Sequence, residues 1–252
     1  MASIPLGTPR DPRPAAWPPS RHLPLDGTRN VRDIGGYPAA GGRRTRWRTL
    51  LRSDELVSLP GHARRALEDL GVRQVIDLRW PEELVRAPNV FRGSSTVRYR
   101  HVPLLEDDPT PHAGLAGMYR HVLDERAPQL AEVVRALLPD DGLPAVVGCA
   151  AGKDRTGVVV ALLLDVAGVP HDVIIEDYAL SAGFFAAPVT RMDPGDWRHP
   201  PLLVDSPPEF MASTLEHLGR RHGGSRALLR RQGLSEADLD RLAERLTEPT
   251  GD

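Results

Sequence analysis

Cys149 is the one cysteine of the 252-residue chain, and Lys153, four positions on, is its one lysine. Both fall in Val146-Val147-Gly148-Cys149-Ala150-Ala151-Gly152-Lys153-Asp154-Arg155-Thr156-Gly157, which continues into an apolar run to Leu164. The string reads as a short buried strand, a tight turn and an apolar helix. Such a turn gathers backbone N–H groups around one point and aims the positive end of a helix dipole at it. Gly152 lets the chain curl without a Cβ in the way. The product is a nest for a small anion, drawn from the backbone of Ala150, Ala151, Gly152, Lys153 and Asp154. Arg155, in the first helical turn, can fork two N–H groups onto phosphate oxygens. Lys153 and Asp154 are expected at the mouth of the pocket. Cys149 should face the anion's central atom, where positive potential favours thiolate over thiol. A thiolate beneath a phosphate monoester is an in-line nucleophile that forms phosphocysteine. Thr156 can donate its hydroxyl to the sulfur as that bond later breaks.

Simpler readings exist for each part. A lone cysteine is often only a small buried hydrophobe, and in a chain this rich in arginine a Cys-x5-Arg spacing alone says little. The joint pattern of glycine, lysine, arginine and threonine between strand and helix is what carries weight. A Walker A loop is excluded, because Lys153 is followed by Asp154 and not by Ser or Thr.

The string resembles the signature loop of cysteine-dependent tyrosine and dual-specificity phosphatases, His-Cys-x5-Arg-Thr/Ser. Cys-Ala-Ala-Gly-Lys-Asp-Arg-Thr-Gly is similar to the version in the bacterial protein tyrosine phosphatase B-like family. Lysine in this loop is also found in lipid and inositol phosphatases of the same superfamily. The family's histidine before the cysteine is Gly148 here, which leaves the N–H nest and Arg155 to do more of the activation. Asn30-Val31-Arg32-Asp33-Ile34-Gly35-Gly36 resembles the family's Asn-Phe-Arg-Asp-Leu-Gly-Gly motif, and the resemblance makes Arg32 a candidate substrate contact. Leu50-Leu51-Arg52-Ser53 matches the family's Leu-x-Arg-Ser segment, and Asp77-Leu78-Arg79 resembles its Asp-Leu-Arg motif. Asp77 is read as the structural partner of a buried arginine before a catalytic role. The resemblance also places a general acid on an acidic loop after a strand. Leu105-Glu106-Asp107-Asp108-Pro109 is such a loop, Asp107 is the choice, and Glu106, Asp108 and Asp77 remain open. The acid's task is to protonate the leaving oxygen and then, as carboxylate, to activate water. The match spans roughly residues 22–247.

These residues need a frame to hold them. Strands are expected at Trp47–Ser53, Val72–Arg79, Val97–Leu104 and just before Cys149. A short helical turn is expected over Ser53–Leu56, and helices over Pro60–Leu70, from Pro81, over Leu115–Leu138 with a break near Pro128, after Lys153 and over Asp172–Leu180. That order indicates a three-layer α/β fold with a mostly parallel central sheet, and the resemblance makes it the tyrosine/dual-specificity phosphatase-like fold. Residues 1–20 read as a disordered or draped proline-rich arm. Residues 21–252 read as one phosphatase domain, with a lid-like segment near 183–206 and C-terminal amphipathic helices. Ser235-Glu236-Ala237-Asp238 should cap the last of these.

A formal net charge of -2 gives no reason to expect nucleic acid or a polybasic membrane anchor. One cysteine excludes an internal disulfide and a Cys-cluster metal site. No apolar run has transmembrane length and no signal core follows Met1, so a cytoplasmic enzyme is expected. It would act without metal or other cofactor on a phosphorylated partner. Phosphotyrosine is what the resemblance implies. The alternatives are a nucleotide-like, sugar or inositol phosphate, and a phosphate-binding pseudophosphatase.

Overall fold

The computed structural model describes residues 21–106, 114–185 and 205–250. In chain order, the first half contains β1 (Arg32–Asp33), β2 (Pro38–Ala39), β3 (Arg43–Thr45), β4 (Leu50–Ser53), α1 (Gly61–Asp69), β5 (Gln74–Asp77), α2 (Pro81–Arg86) and β6 (Arg98–His101). The second contains α3 (Gly114–Glu125), α4 (Ala127–Leu137), β7 (Ala145–Gly148), α5 (Asp154–Val166), α6 (His171–Ala179), α7 (Ser181–Phe185), α8 (Pro208–His217), α9 (Ser225–Arg231), α10 (Glu236–Leu246) and β8 (Thr247–Pro249).

The central sheet has the order β1-β4-β7-β5-β6. β4, β7, β5 and β6 are parallel, and only the edge pair β1–β4 is antiparallel. Successive side chains of a strand point to opposite faces, and the two faces have separate cores. Leu50, Ile76, Ala145 and Val147 join the larger apolar cluster with residues of α3, α4, α5, α6, α8, α9 and α10. Leu51, Val75 and Val146 join the smaller one with Ala63 and Leu67 of α1. Helices therefore cover both faces, and the expected three layers are present. Every residue of α5 except Asp165 is buried, as an all-round apolar helix requires.

Most expected elements lie within a few residues of their predicted bounds. Pro81 opens α2, and the capping box at Ser235 and Asp238 opens α10. The helix break falls at Arg126, so Pro128 lies in the first turn of α4 where its missing N–H costs nothing. The short helical turn expected over Ser53–Leu56 is absent. There the Asp54 carboxylate accepts the Arg29 and Asn30 amides at 2.8 and 3.1 Å, and Glu55 N donates to Ala150 O at 3.1 Å. Cross-chain bonds replace the local ones a helical turn needs. A second, antiparallel sheet of order β2-β3-β8 ties the C-terminal strand to the N-terminal region. Among the described residues no helix is long and apolar enough to cross a membrane. The proline-rich arm lies outside the described residues, as does most of the lid-like segment.

Candidate active site

β7 ends at Gly148, in register with Ser53 of β4 and Asp77 of β5. The loop Cys149–Lys153 thus leaves the carboxyl edge of a parallel sheet, where open α/β sheets hold ligands. Its carbonyls are bonded from behind. Glu55 N donates to Ala150 O at 3.1 Å, Asn30 Nδ2 to Ala151 O at 2.9 Å, and Arg52 Nη2 to Gly152 O at 2.8 Å. In a planar trans peptide each N–H points opposite to the preceding carbonyl. The amides of Ala151, Gly152 and Lys153 are therefore turned away from that backing, and among the described residues nothing accepts them. Gly152 has φ +64°, and a Cβ there would lie 2.4 Å from the Ser53 carbonyl carbon. Only glycine fits.

Cys149 begins this loop, is 2% exposed and belongs to the larger apolar cluster. Arg155 is fixed from α2: its Nη1 and Nη2 donate to the two carboxylate oxygens of Glu83 at 2.5 and 2.9 Å. Glu83 also accepts the Trp80 amide at 2.8 Å, and the Arg155 guanidinium lies 4.7 Å from the centre of the Trp80 ring. Burial disfavours the arginine's charge, but the Glu83 contacts outweigh it. They hold Arg155 above its ordinary range. Thr156 Oγ1 is buried with no hydrogen-bond partner among the described residues.

Lys153 and Asp154, expected at the pocket mouth, are both buried. Lys153 Nζ donates to Asp205 O at 2.5 Å and lies 3.4 Å from Asp154 Oδ1. That same Oδ1 accepts the Tyr119 hydroxyl at 2.5 Å, which lies 2.7 Å from the Tyr178 hydroxyl. Burial, with the Asp154 charge, pushes the Tyr119 hydroxyl well above its usual range, so it stays a donor.

Arg32 is not on the loop. It is fully buried and donates to Asn30 Oδ1, to Asp177 O at 2.9 Å and to Ser181 Oγ at 3.2 Å. It reaches the loop only through Asn30, and through Arg52, which also binds Asp177. Asp77 is bidentate with Arg79 and accepts Asn89 Nδ2 at 3.0 Å. Despite burial, these contacts hold its carboxyl below the usual range, which suits the structural reading. Glu106 accepts Arg126 Nη1 at 2.8 Å. Asp107 and Asp108 lie outside the described residues.

Packing accounts for Gly148. A Cβ there would lie 2.4 Å from Ser53 Oγ, 3.1 Å from Ser53 O and 3.3 Å from Asp54 O. A histidine at that position needs the Ser53 hydroxyl to turn aside and the Ser53 and Asp54 carbonyls to give by a few tenths of an ångström.

The sequence reading missed Glu83, Tyr119, Asn30, Arg52 and Asp54 as parts of the site. Glu83 was visible only as an acid in a proline-led first helical turn. No local pattern ties any of these residues to a loop up to 121 positions away.

The sequence profile of the tyrosine phosphatase family matches residues 23–248. The chain is 29% identical over 217 residues to a tyrosine-protein phosphatase of Nostoc commune, covering 78% of this chain and 73% of that one. It is 33% identical over 191 residues to the triple specificity protein phosphatase PtpB of Mycobacterium tuberculosis, covering 62% and 68%. A crystal structure of P. aeruginosa TpbA aligns at 20% identity with a TM-score of 0.37, over 57% of this chain and 74% of that one. A cysteine and an arginine at the two ends of one strand-to-helix loop, within a match that runs from residue 23 to 248, make this chain a member of the tyrosine phosphatase family, and so a cysteine-dependent phosphoric monoester hydrolase.

Proposed function

We propose that Cys149 attacks the phosphorus of a phosphorylated protein side chain, phosphotyrosine first, within the nest of residues 150–154. The single observation that carries this reading is the bonding of the Ala150, Ala151 and Gly152 carbonyls from behind. It supports a row of N–H donors facing the position of the phosphoryl oxygens. Glu83 takes two of the five N–H donors of Arg155, and the other three remain for the equatorial oxygens. As the S–P bond forms, the P–O bond to the leaving group breaks and Asp107 gives that oxygen its proton. Asp107, now a carboxylate, then takes a proton from water. The water oxygen bonds to phosphorus, and the sulfur leaves as thiolate, eased by the Thr156 hydroxyl. Inorganic phosphate is the product. Asp77 is committed to Arg79 and held ionised, so it is a poor proton donor.

The names of the relatives favour phosphoproteins over small esters. A cytoplasmic setting suits such a partner. The test is Cys149-dependent phosphate release from a panel of phosphopeptides, inositol phosphates and nucleotides. Cys149→Ser should lower kcat on p-nitrophenyl phosphate by about 10⁴-fold or more. A smaller loss would remove Cys149 as nucleophile. Preference for a soluble small ester over every phosphopeptide would move the substrate to a metabolite.

A further inference from the structure

At the end of α3 remote from the signature loop, three ligand-type side chains converge on one point. Asp124 Oδ1 lies 2.8 Å from His217 Nε2 and 2.7 Å from His222 Nε2. All three ligand atoms lie within 4.8 Å of one another. The imidazole rings are 5.8 Å apart at 70°.

The backbone accounts for the convergence. In an α-helix, residues five apart are separated by about 140° around the axis, so both rings could not reach one carboxylate. Here α8 runs into a π-helical turn over Leu218–His222. Its i→i+5 repeat brings residues 217 and 222 onto nearly the same line, and wide turns of this kind recur at functional positions. Gly223 at φ +75° and Gly224 at φ +95° then end the turn at once.

We infer that Asp124, His217 and His222 form a site for a divalent cation of the zinc class. Two imidazoles and one carboxylate are a zinc-type donor set, with water as fourth ligand, and magnesium and calcium prefer oxygen donors. A tetrahedral zinc site with bonds of about 2.0–2.1 Å has ligand–ligand edges of about 3.3 Å. The two Asp124 contacts, at 2.8 and 2.7 Å, are shorter than that edge, and the ion would take the place of the protons that now hold them. The side chains are 32%, 21% and 13% exposed, so the fourth position opens to solvent.

Arg231 also faces the triad. Arg231 donates from Nη1 to His222 O at 2.9 Å, and its Nη2 lies 3.0 Å from His222 Nδ1. That contact makes Nδ1 an acceptor, so the proton sits on Nε2 and points at Asp124. Metal binding moves that proton to Nδ1 and releases the Arg231 Nη2 contact while Nη1 stays. This opposes binding and favours the strongest Lewis acids. A bound ion would clamp α3 to the α8–α9 junction. Tyr119, which bonds Asp154 of the signature loop, lies five residues earlier on α3, about 7.5 Å along the axis.

The test uses the full, untagged chain carrying Cys149→Ser, which removes the thiol as a competing ligand. Zinc is titrated by calorimetry and by thermal unfolding, with magnesium as control. The expected result is one zinc per chain and a Tm rise of about 5–10 °C at hundredfold excess over Kd, with no response to magnesium. Asp124→Asn and His222→Gln should each weaken zinc binding at least tenfold. The inference is overturned by absence of binding in the parent, by an affinity in both variants equal to the parent's, or by an equal response to magnesium.

Discussion

Two buried arginine clusters flank β7, and they carry opposite excess charge. On the β4 side, Arg32 and Arg52 share the carboxylate of Asp177. On the β5 side, Asp77 and Glu55 share Arg79. Burial first, then the neighbouring Arg52 charge, pulls Arg32 down to about 9. Arg79 is also buried, yet its two carboxylates push it above its ordinary value. The cation-rich cluster touches the loop's backbone, because Arg52 donates to Gly152 O. The anion-rich cluster touches the helix behind the loop's arginine. Arg79 Nη1 donates to Ala87 O just past α2 at 2.9 Å, and α2 carries Glu83 to Arg155. Arg52 braces the nest through its side chain and Glu55 through its backbone N–H to Ala150 O, while Arg79 supports the helix that aims the guanidinium. A surplus of cation is tolerable where carbonyls need donors. A surplus of carboxylate is tolerable one layer away from the phosphate.

This contrast can be broken in the cation-rich cluster first. Arg52→Met strands Gly152 O and takes from Asp177 its closer partner. It should cost about 3–5 kcal/mol of stability in denaturant unfolding, as removal of one member of a buried pair does, and kcat should fall with it. Arg32→Met leaves a balanced Arg52–Asp177 pair and should cost about half as much. Equal costs would mean that the Arg52 bond to Gly152 O adds nothing beyond the charge that the two arginines share.

A smaller effect comes with pH. Burial pushes Asp33 and Asp54 up to about 6, although backbone amides favour their charged forms. For carboxyls raised above the ordinary 3.8, the stabilising contribution is complete below about pH 4 and is lost as pH rises through about 6. Asp77 and Asp177 are lowered and act in the opposite sense, their contribution being lost on acidification. Between pH 4 and 7, unfolding of Asp54→Asn and of the parent should diverge by up to about 3 kcal/mol. Parallel curves would remove Asp54 from this account.

The smallest effect sharpens the aiming role. Glu83→Gln keeps an acceptor and loses the charge, so kcat should drop about tenfold, about 1.4 kcal/mol in the barrier. An unchanged kcat would leave Glu83 a packing residue.

The chain's order of strands and helices was readable because hydrophobic periodicity is local, and the nest was readable because its glycine, arginine and cysteine are contiguous. The carboxylate behind Arg155 and the donors behind the loop carbonyls were not, since they come from α2, from the segment before β1, from β4 and from the residues after it, and meet the loop only after folding. Asp54 shows the limit most clearly. Its neighbours suggested a helical turn, and its partners, the amides of Arg29 and Asn30, lie on another segment. The second sheet was invisible for a related reason: β2 and β3 are two and three residues long, too short for alternation to register.

Lys153 gives the molecule an unusual chemical address. With a single ε-amine in the chain, acylating or reductively alkylating reagents have one side chain to find. That amine is sealed inside and bonded to the Asp205 carbonyl. The labelling rate of the peptide that carries Lys153, read apart from the α-amine, would therefore clock how often the Lys153–Asp205 contact opens.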